Sequence, residues 1–366
     1  MSVYGKMKHS LKNLYSQRVE KKRVLAQVAL ANRMIEECHE KIPELSEAQV
    51  REIKAYWKQY GIDVTPEWHK LYYGLTGIED PRFVPNRVFH RQIKGKVNDE
   101  EFAPIWSDKA YLDRIVFDAE TPRNVLRNVD GHLLDESCHI IHKSDAEQIL
   151  GKYNRLVIKP TIFTNTGRGV QLLHAPFDLE AIDRAYRSNY VFQIPLKQHP
   201  EMDKLNASSV NTVRFNSVLL DDGAHIISAF TKVGQAGEFA DNSGHDRYFI
   251  GITPEGRYAQ YAIDHQLHKY KSIPSGFDFP GAQVPFFREC CREVEKAHEC
   301  VPHFGFAFWD VCINSEGSPV IVEMNLRYPN SKIPQAACGP FMGSYTDRIM
   351  EYILRNEGRF IHEKDD

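Results

Sequence analysis

A β-hairpin expected near the C-terminal end of the chain constrains the fold and the chemistry of this protein most strongly. Residues 308–325 read F-W-D-V-C-I-N-S-E-G-S-P-V-I-V-E-M-N, in which two runs of strand-forming residues flank a turn signal. A turn centred between Glu316 and Gly317 places Asp310 opposite Glu323. Asn325 shares a face with Glu323, because side chains alternate along a strand. The hairpin therefore aims two carboxylates and one carboxamide at one point.

These three side chains predict a magnesium site. Burying bare carboxylates costs on the order of several kcal/mol each unless a positive group lies between them. Mg²⁺ prefers oxygen ligands and commonly shares them with phosphate groups, which indicates a metal that bridges a nucleotide to Asp310, Glu323 and Asn325. The alternative is a hairpin whose polar face points to water.

Length and charge exclude several classes of protein. A chain of 366 residues with 42% apolar and 26% charged residues predicts two or three globular domains. The charge of −3, from 46 basic and 49 acidic residues, argues against nucleic acid or an anionic membrane as a partner. We find no signal peptide and no transmembrane segment. Seven cysteines without a C-x-x-C spacing predict reduced thiols and a cytoplasmic location.

The pattern of apolar residues predicts an α+β protein dominated by antiparallel hairpins. Residues 18–42 have the spacing of a long helix, and a second helix starts at the capping box formed by Ser46 and Gln49. Residues 84–90 have the composition of a strand. The aromatic residues of this N-terminal part indicate a core, with no chemistry of its own.

A lysine and a glycine loop form a candidate phosphate site. Lys159 ends a predicted buried strand before Pro160, and a polar loop with Gly167 and Gly169 leads into another strand. The order strand, loop, strand excludes a Walker loop, which is followed by a helix. An ammonium group beside glycines that allow close approach of backbone N–H groups suits phosphate. The alternative is a salt-bridged lysine before an ordinary turn.

A second hairpin carries two cations. Residues 210–220 and 226–233 are expected to pair across a turn at Gly223, so that Arg214 and Lys232 face each other or nearly so. Two facing cations are unfavourable unless an anion joins them, and a triphosphate is such an anion. The alternative is two splayed, solvated side chains.

Several motifs together resemble the ATP-grasp superfamily because they occur in its order along the chain. They are Asp108-Lys109, Val157-Ile158-Lys159-Pro160, Gly167-Arg168-Gly169, Phe192-Gln193-Ile194-Pro195-Leu196, Asn211-Thr212-Val213-Arg214, Asp310-Val311 and Glu323-Met324-Asn325. More narrowly, the chain is similar to the sugar-transfer-associated ATP-grasp subfamily. The residues that carry this likeness are Gln198-His199-Pro200-Glu201, Leu205-Asn206 and Ser208-Ser209-Val210-Asn211.

The resemblance implies an ATP-grasp fold, in which two antiparallel-sheet lobes grip ATP, here with an N-terminal helical extension. We expect a helical region at 1–80, an α/β region at 81–145, a small lobe with the glycine loop at 146–197, and a large lobe with the metal site at 198–366.

The resemblance also implies a role for each matching residue. ATP would be bound by Lys109, Lys159, Thr166, Gly167, Arg168, Gly169, Gln193, Ile194, Pro195 and Leu196. The γ-phosphate or an acyl phosphate would be steadied by Arg214, Lys232 and Asn242. Two Mg²⁺ ions would be held by Asp310, Glu323 and Asn325.

The implied function is that of an ATP-dependent, ADP-forming carboxylate–amine ligase that works through an acyl phosphate. Its substrates would be a small carboxylic acid and an amine acceptor such as a nucleotide-linked amino sugar, in the biosynthesis of surface polysaccharide. Three alternatives stay open: a ligase of amino acids or peptides, a kinase of sugars or other small molecules, and a nucleotide-binding scaffold. The paired metal carboxylates argue against the scaffold.

Overall fold

The computed structural model describes residues 3–162, 168–237, 247–327 and 331–356. The α-helices are α1 (Val3–Glu37), α2 (Glu47–Lys58), α3 (Glu67–Thr76), α4 (Asn86–Val88), α5 (Ala103–Trp106), α6 (Leu112–Ile115), α7 (Lys143–Leu150), α8 (Leu179–Tyr186), α9 (Pro200–Asp203), α10 (Phe287–Glu299), α11 (Lys332–Cys338) and α12 (Thr346–Arg355). A π-helix spans Phe89–Ile93, and 3₁₀ turns span Lys94–Lys96 and Gly343–Tyr345. Among the described residues, no helix is both long and apolar enough to cross a membrane.

In this part of the chain, the smaller of two sheets has five antiparallel strands in the order β2-β1-β5-β3-β4. They are β1 (Asn124–Val129), β2 (His132–Leu134), β3 (Arg155–Pro160), β4 (Gln171–His174) and β5 (Tyr190–Gln193). Helices α7 and α8 cover it, and Leu150 and Ile182 share a core with Ile158 and Phe192. The predicted strand–loop–strand unit is β3 and β4.

The larger sheet has seven described strands, all antiparallel, in the order β10-β9-β8-β7-β6-β11-β12. They are β6 (Val213–Leu220), β7 (Gly223–Val233), β8 (Tyr248–Ile252), β9 (Tyr258–Ile263), β10 (Lys269–Tyr270), β11 (Phe306–Ile313) and β12 (Pro319–Asn325). Strand β11, which carries Asp310, therefore lies between β6, which carries Arg214, and β12, which carries Glu323 and Asn325. Two antiparallel sheets with covering helices match the predicted α+β fold class.

The large sheet is covered on both faces, which explains the unbroken apolar run in β11. Phe308 packs in a core with the N-terminal helices, α11 and α12. Its neighbour Trp309 points into the opposite core, with Val294 of α10. Every residue of β11 is buried, and a strand buried on both faces loses the alternation of apolar and polar residues. Asp310 is thus a charged residue in an otherwise apolar strand.

The N-terminal helices agree with the sequence in one detail and differ in another. The predicted capping box starts α2, since Ser46 Oγ accepts from the Gln49 backbone N at 3.2 Å and Gln49 Oε1 accepts from the Ser46 N at 2.7 Å. The predicted strand at 84–90 is wrong, because α4 and the π-helix occupy most of this segment. Its apolar residues fit a helix equally well, and Pro85 stands directly before α4.

The buried side chain of Gln335 connects α11, the helix after the β11–β12 hairpin, to the N-terminal part of the chain. Its Oε1 accepts from the Val84 N at 2.7 Å, and its Nε2 donates to the Val84 O at 2.9 Å and the Ser331 O at 3.1 Å. Gln335 is fully buried. It therefore satisfies both backbone polar groups of Val84, which is itself buried.

Replacing Gln335 with methionine is expected to lower the free energy of unfolding by about 2–4 kcal/mol, because it leaves the buried N–H and C=O groups of Val84 without partners. Urea denaturation followed by circular dichroism measures this change. The matched control is Gln148→Met on the exposed side of α7, which should stay within about 0.5 kcal/mol of the wild type. If Gln335→Met lowers the free energy of unfolding by less than about 1 kcal/mol, the hydrogen bonds to Val84 do not stabilise the fold as expected.

Candidate functional site

The predicted hairpin is formed by β11 and β12, and its register places Asp310 opposite Glu323, which confirms the predicted pairing. Asn325 Nδ2 lies 3.5 Å from Asp310 Oδ2. The turn is fixed locally, since Asn314 Oδ1 accepts from the backbone N of Glu316 at 3.0 Å and of Ser318 at 2.9 Å. The hairpin thus brings the three predicted metal-binding side chains together.

Asp310 is a buried carboxylate held by two cations. Its Oδ1 accepts from Arg214 Nε at 2.5 Å, and its Oδ2 accepts from Arg214 Nη2 at 2.6 Å and lies 2.7 Å from Lys232 Nζ. The side chains of Asp310 and Lys232 are only 4% and 5% exposed. Burial favours the neutral acid, but Arg214 and Lys232 outweigh it and hold the pKa of Asp310 well below its usual range. Asp310 is therefore ionised at neutral pH.

Arg214 and Lys232 do not face each other directly but are offset by two residues. Arg214 pairs with Phe230, and Lys232 lies two residues further along β7. The pairing of Leu220 with Gly223 puts the turn earlier than predicted, and a bulge between Asn216 and Ser217 moves the register only one residue back toward the predicted pairing. Residues two apart share a face, so the two cations still converge, and the anion that joins them here is the Asp310 carboxylate.

Two further lysines approach β12 from the other side of the site. Lys109 Nζ lies 3.1 Å from Glu323 Oε1, and the Lys109 backbone N donates to the Thr161 O at 3.2 Å. Lys159 of β3 is buried, and its Nζ donates to the Val322 O of β12 at 3.5 Å. Burial and then the charge of Lys109 lower the pKa of Lys159 to about 8, while Glu323 acts in the opposite direction. The two lysines thus connect the region of the small sheet to β12.

The site as a whole combines two carboxylates, Asp310 and Glu323, with four basic side chains from both sheets and the segment before β1, namely Lys109, Lys159, Arg214 and Lys232. Basic groups outnumber acids, and Asp310, Lys159 and Lys232 are almost fully buried. Charges with little water around them interact strongly. Such a cluster suits a polyanion such as a triphosphate.

The end of the predicted glycine loop is anchored beside β3. Gly169 has a φ of +81°, and a Cβ there would lie 2.9 Å from Pro160 Cγ, so the position requires glycine. Tyr186 Oη donates to the Gly169 O at 2.8 Å. Arg168 is exposed. Thr166, Gly167 and the candidate catalytic residue Asn242 lie outside the described residues.

The segment predicted to line the adenine slot begins at the end of β5 and runs beside the start of β1. Gln193 is buried, and its Nε2 donates to Asn124 Oδ1 at 2.7 Å. The Ile194 backbone N donates to the Arg123 O at 3.1 Å. The side chain of Gln193 is therefore part of the framework, and a contact between ATP and the backbone of Gln193, Ile194, Pro195 or Leu196 stays a prediction.

A buried polar network lies beside Arg214 and Lys232, and no role was predicted for it from the sequence. Gln198 Nε2 donates to the Asn206 O at 3.1 Å, and Gln198 Oε1 accepts from the Asn211 N at 2.7 Å. Asn206 Nδ2 donates to the Gly234 O at 3.1 Å. Asn211 precedes β6 and Gly234 follows β7, so the network joins the strand of Arg214 to the strand of Lys232. The available signal was the presence of these polar residues in the subfamily motif.

The donor set fits Mg²⁺ in its chemistry. In the described ranges, no group of three or more His, Cys, Asp and Glu side chains could hold a metal ion. The predicted site instead combines two carboxylates with the amide oxygen of Asn325, which are hard oxygen ligands. The oxygens of Asp310 already accept from Arg214 and Lys232, so these cations and a metal would compete for them.

Two antiparallel sheets that meet at a buried cluster of cations and carboxylates are the arrangement predicted for an ATP-grasp fold. The chain belongs to the family described as sugar-transfer associated ATP-grasp, whose model matches residues 88–349. This match confirms the predicted superfamily and subfamily. At the level of the family it also confirms an ADP-forming ATP-grasp ligase that uses ATP. No curated protein matches the sequence.

Solved structures of similar fold include ligases from two Bacillus species. The D-alanine–D-alanine ligase of Bacillus anthracis is 13% identical, with a TM-score of 0.40 over 69% of this chain and 68% of that chain. The L-amino acid ligase of Bacillus licheniformis is 13% identical, with a TM-score of 0.39 over 73% of this chain. The match spans only 51% of that ligase's length. Likeness at this level says nothing about the substrate of this chain.

Proposed function

We propose that this protein joins a small carboxylic acid to an amine, with ATP as the source of energy and an acyl phosphate as the intermediate. The observation that carries the proposal is the buried cluster of Asp310 and Glu323 with four basic side chains at the junction of the two sheets. With this cluster, a member of an ATP-grasp family has the groups needed to hold a triphosphate beside a carboxylic acid.

The reaction has two steps. In the first, a carboxylate oxygen of the acid attacks the γ-phosphorus of ATP, and ADP leaves. In the second, the amine nitrogen attacks the acyl carbon, loses a proton and expels phosphate, which leaves an amide. The protein contributes mainly by positioning the groups and by stabilising the negative charge that develops on the transferred phosphoryl group.

The residues of the cluster divide this work. Lys109 and Lys159 would hold the first phosphates of ATP, and Arg214 and Lys232 would contact the phosphoryl group in transfer. Asp310, Glu323 and Asn325 would hold Mg²⁺, which, when bound, neutralises phosphate charge and orients the triphosphate. The burial of Lys159 and Lys232 strengthens their effect, since little water screens them.

For the amine we propose an amino sugar, carried by a nucleotide, in a pathway of surface polysaccharide synthesis. The support is the description of the family as associated with sugar transfer. We also propose a cytoplasmic location, because all seven cysteines are free thiols and a reducing compartment keeps them so.

The test is a matrix of small carboxylic acids against amines, with release of ADP from ATP and Mg²⁺ as the signal. The amines include nucleotide-linked amino sugars and free amino acids, and each substrate is also tested alone. We expect ADP only when an acid and an amino sugar are both present, with a product whose mass is their sum minus water. Asp310→Asn and Glu323→Gln should each lower turnover by about a hundredfold or more.

The other outcomes separate the alternatives. ADP released with a sugar alone, with a phosphorylated product, identifies a kinase, and condensation only with amino acids identifies an amino-acid ligase. Full activity in both carboxylate variants overturns the metal assignment. Asp222→Asn, an exposed carboxylate in the β6–β7 turn, serves as the control that should keep wild-type activity.

A further inference from the structure

We propose that the nucleotide-free enzyme stores its metal-binding carboxylates in ion pairs with its own phosphate-binding cations, so that Mg²⁺ and nucleotide bind well only together. This inference rests on the proposed function and adds a property of the same site: the two ligands are coupled through an exchange of ion-pair partners. Arg214, Lys232 and Lys109 would pass from carboxylates to phosphates as the carboxylates pass to metal.

The hydrogen bonds of Asp310 are the first argument. A carboxylate oxygen offers about two lone-pair sites. Both sites of Oδ2 are used, by Arg214 Nη2 at 2.6 Å and Lys232 Nζ at 2.7 Å, and Asn325 Nδ2 is a further, more distant donor at 3.5 Å. Oδ1 accepts from Arg214 Nε at 2.5 Å. A metal can therefore share Oδ2 only after one of the two cations has withdrawn from it.

The second argument is that Glu323 repeats the arrangement. Its Oε1 lies 3.1 Å from Lys109 Nζ, and both side chains are largely shielded from water, with exposed fractions of 23% and 11%. Both predicted metal carboxylates are thus paired with residues assigned to phosphate. A metal that arrives alone therefore meets carboxylates that already carry ion pairs.

Electrostatics gives the sign of the coupling. A divalent cation placed alone beside Asp310 is repelled by Arg214 and Lys232, which are held in a site with little water. A triphosphate alone competes with Asp310 for the same two cations. When both ligands bind, every displaced charge gains a new partner, so each ligand raises the affinity for the other by the same factor.

The experiment measures binding rather than turnover, by isothermal titration calorimetry with adenylyl imidodiphosphate, an ATP analogue that is not hydrolysed. For the wild type we expect Mg²⁺ to tighten binding by about tenfold or more, within the usual range of coupling between sites. Asp310→Asn releases Arg214 and Lys232 from a carboxylate. This variant should bind the analogue in excess EDTA about tenfold more tightly than the wild type does, and Mg²⁺ should no longer tighten it.

Asp310→Asn changes the charge of the protein as well as the site, so Asp222→Asn is the matched control. Asp222 is an exposed acid in the turn of the β6–β7 hairpin that carries Arg214 and Lys232, and its replacement should leave both affinities at the wild-type value. Should Asp310→Asn fail to fold, Glu323→Gln takes its place. It releases Lys109 and should shift the metal-free affinity in the same direction.

The reciprocal experiment uses Mn²⁺ alone, followed by the electron paramagnetic resonance signal of the unbound ion. Lys232→Met removes one of the two cations that hold Asp310, so Mn²⁺ should bind about tenfold more tightly than to the wild type. The control is Lys54→Met, an exposed lysine of α2, which should not change the affinity.

The outcomes distinguish this inference from the proposed function. If the wild type does not bind the analogue even with Mg²⁺, the proposed function falls, and the exchange with it. If it does bind, but neither carboxylate variant binds the metal-free analogue more tightly, the exchange is overturned and the proposed function stands. Tighter binding of the metal-free analogue by the carboxylate variants, together with tighter binding of Mn²⁺ by Lys232→Met, supports the exchange.

Discussion

Asp310→Asn is expected to lower the free energy of unfolding by about 3–5 kcal/mol, because removal of one partner of a buried ion pair leaves the other charge without compensation. Arg214 and Lys232 both direct their charge at this carboxylate, and the Asp310 side chain is only 4% exposed. Their desolvation is then no longer offset. Urea denaturation at neutral pH, followed by circular dichroism, measures the loss.

Two comparisons test the cause of this loss. Glu323→Gln breaks a more exposed pair with Lys109 and should cost about 1 kcal/mol or less. Combining Asp310→Leu with Arg214→Met and Lys232→Met should restore most of the stability, because an apolar cluster of similar volume has no desolvation cost. A loss below about 1 kcal/mol in Asp310→Asn would show that the three charges are not buried together.

The pH dependence of the free energy of unfolding shows whether the ionised form of Asp310 stabilises the folded state. The folded pKa of Asp310 lies below its ordinary value of 3.8, so the ionised form stabilises the folded state. This contribution is complete above the unfolded pKa and disappears as the pH falls through the folded one. The difference between wild type and Asp310→Asn should therefore shrink in acid and stay constant near neutrality.

The two hairpins show where sequence suffices. The β11–β12 register was predictable because Asn314 fixes its turn through hydrogen bonds to the next few residues. The β6–β7 register was not, mainly because the pairing of Leu220 with Gly223 puts the turn earlier than a turn centred on the glycine. Both hairpins also contain a bulge, between Asn216 and Ser217 in β6–β7 and between Asp310 and Val311 in β11–β12. A bulge changes the register without a local signal as strong as a turn. The convergence of Arg214 and Lys232 was expected, but their partner Asp310 was not.

Long-range contacts account for the rest of what the sequence did not predict. Lys159 and Val322 are far apart in the chain, and only the meeting of β3 with β12 joins them. The helical segment after Val84 was mistaken for a strand because short apolar runs suit both structures. Gln335 is another example, since its partner Val84 lies 251 residues earlier in the chain.

Nucleotide affinity is expected to fall as the pH rises above about 8, because Lys159 holds phosphate only when it is protonated. Burial lowers the pKa of this ammonium from 10.5 to about 8 in the nucleotide-free protein. A bound phosphate restores the charged form, so binding above that pH takes up a proton. The affinity should then decrease by up to about tenfold per pH unit. The phosphate itself titrates near pH 6, well below this range.

The depressed pKa of Lys159 also reverses the usual effect of a lysine on stability. Between about pH 8 and the unfolded value of 10.5, the unfolded chain binds the extra proton. The free energy of unfolding contributed by this group therefore rises with pH in that window. Nucleotide binding and stability thus respond to alkaline pH in opposite directions, which a general loss of structure could not produce.

Calorimetry with the non-hydrolysable analogue and Mg²⁺, in buffers of different ionisation enthalpy, measures both the affinity and the proton uptake. Lys159→Arg keeps its charge at every pH tested, since arginine is effectively always protonated, so its affinity should not change with pH. Lys159→Met should bind weakly and with the same flat profile. A flat profile in the wild type between about pH 7 and pH 9.5 would show that the buried ammonium does not contact phosphate.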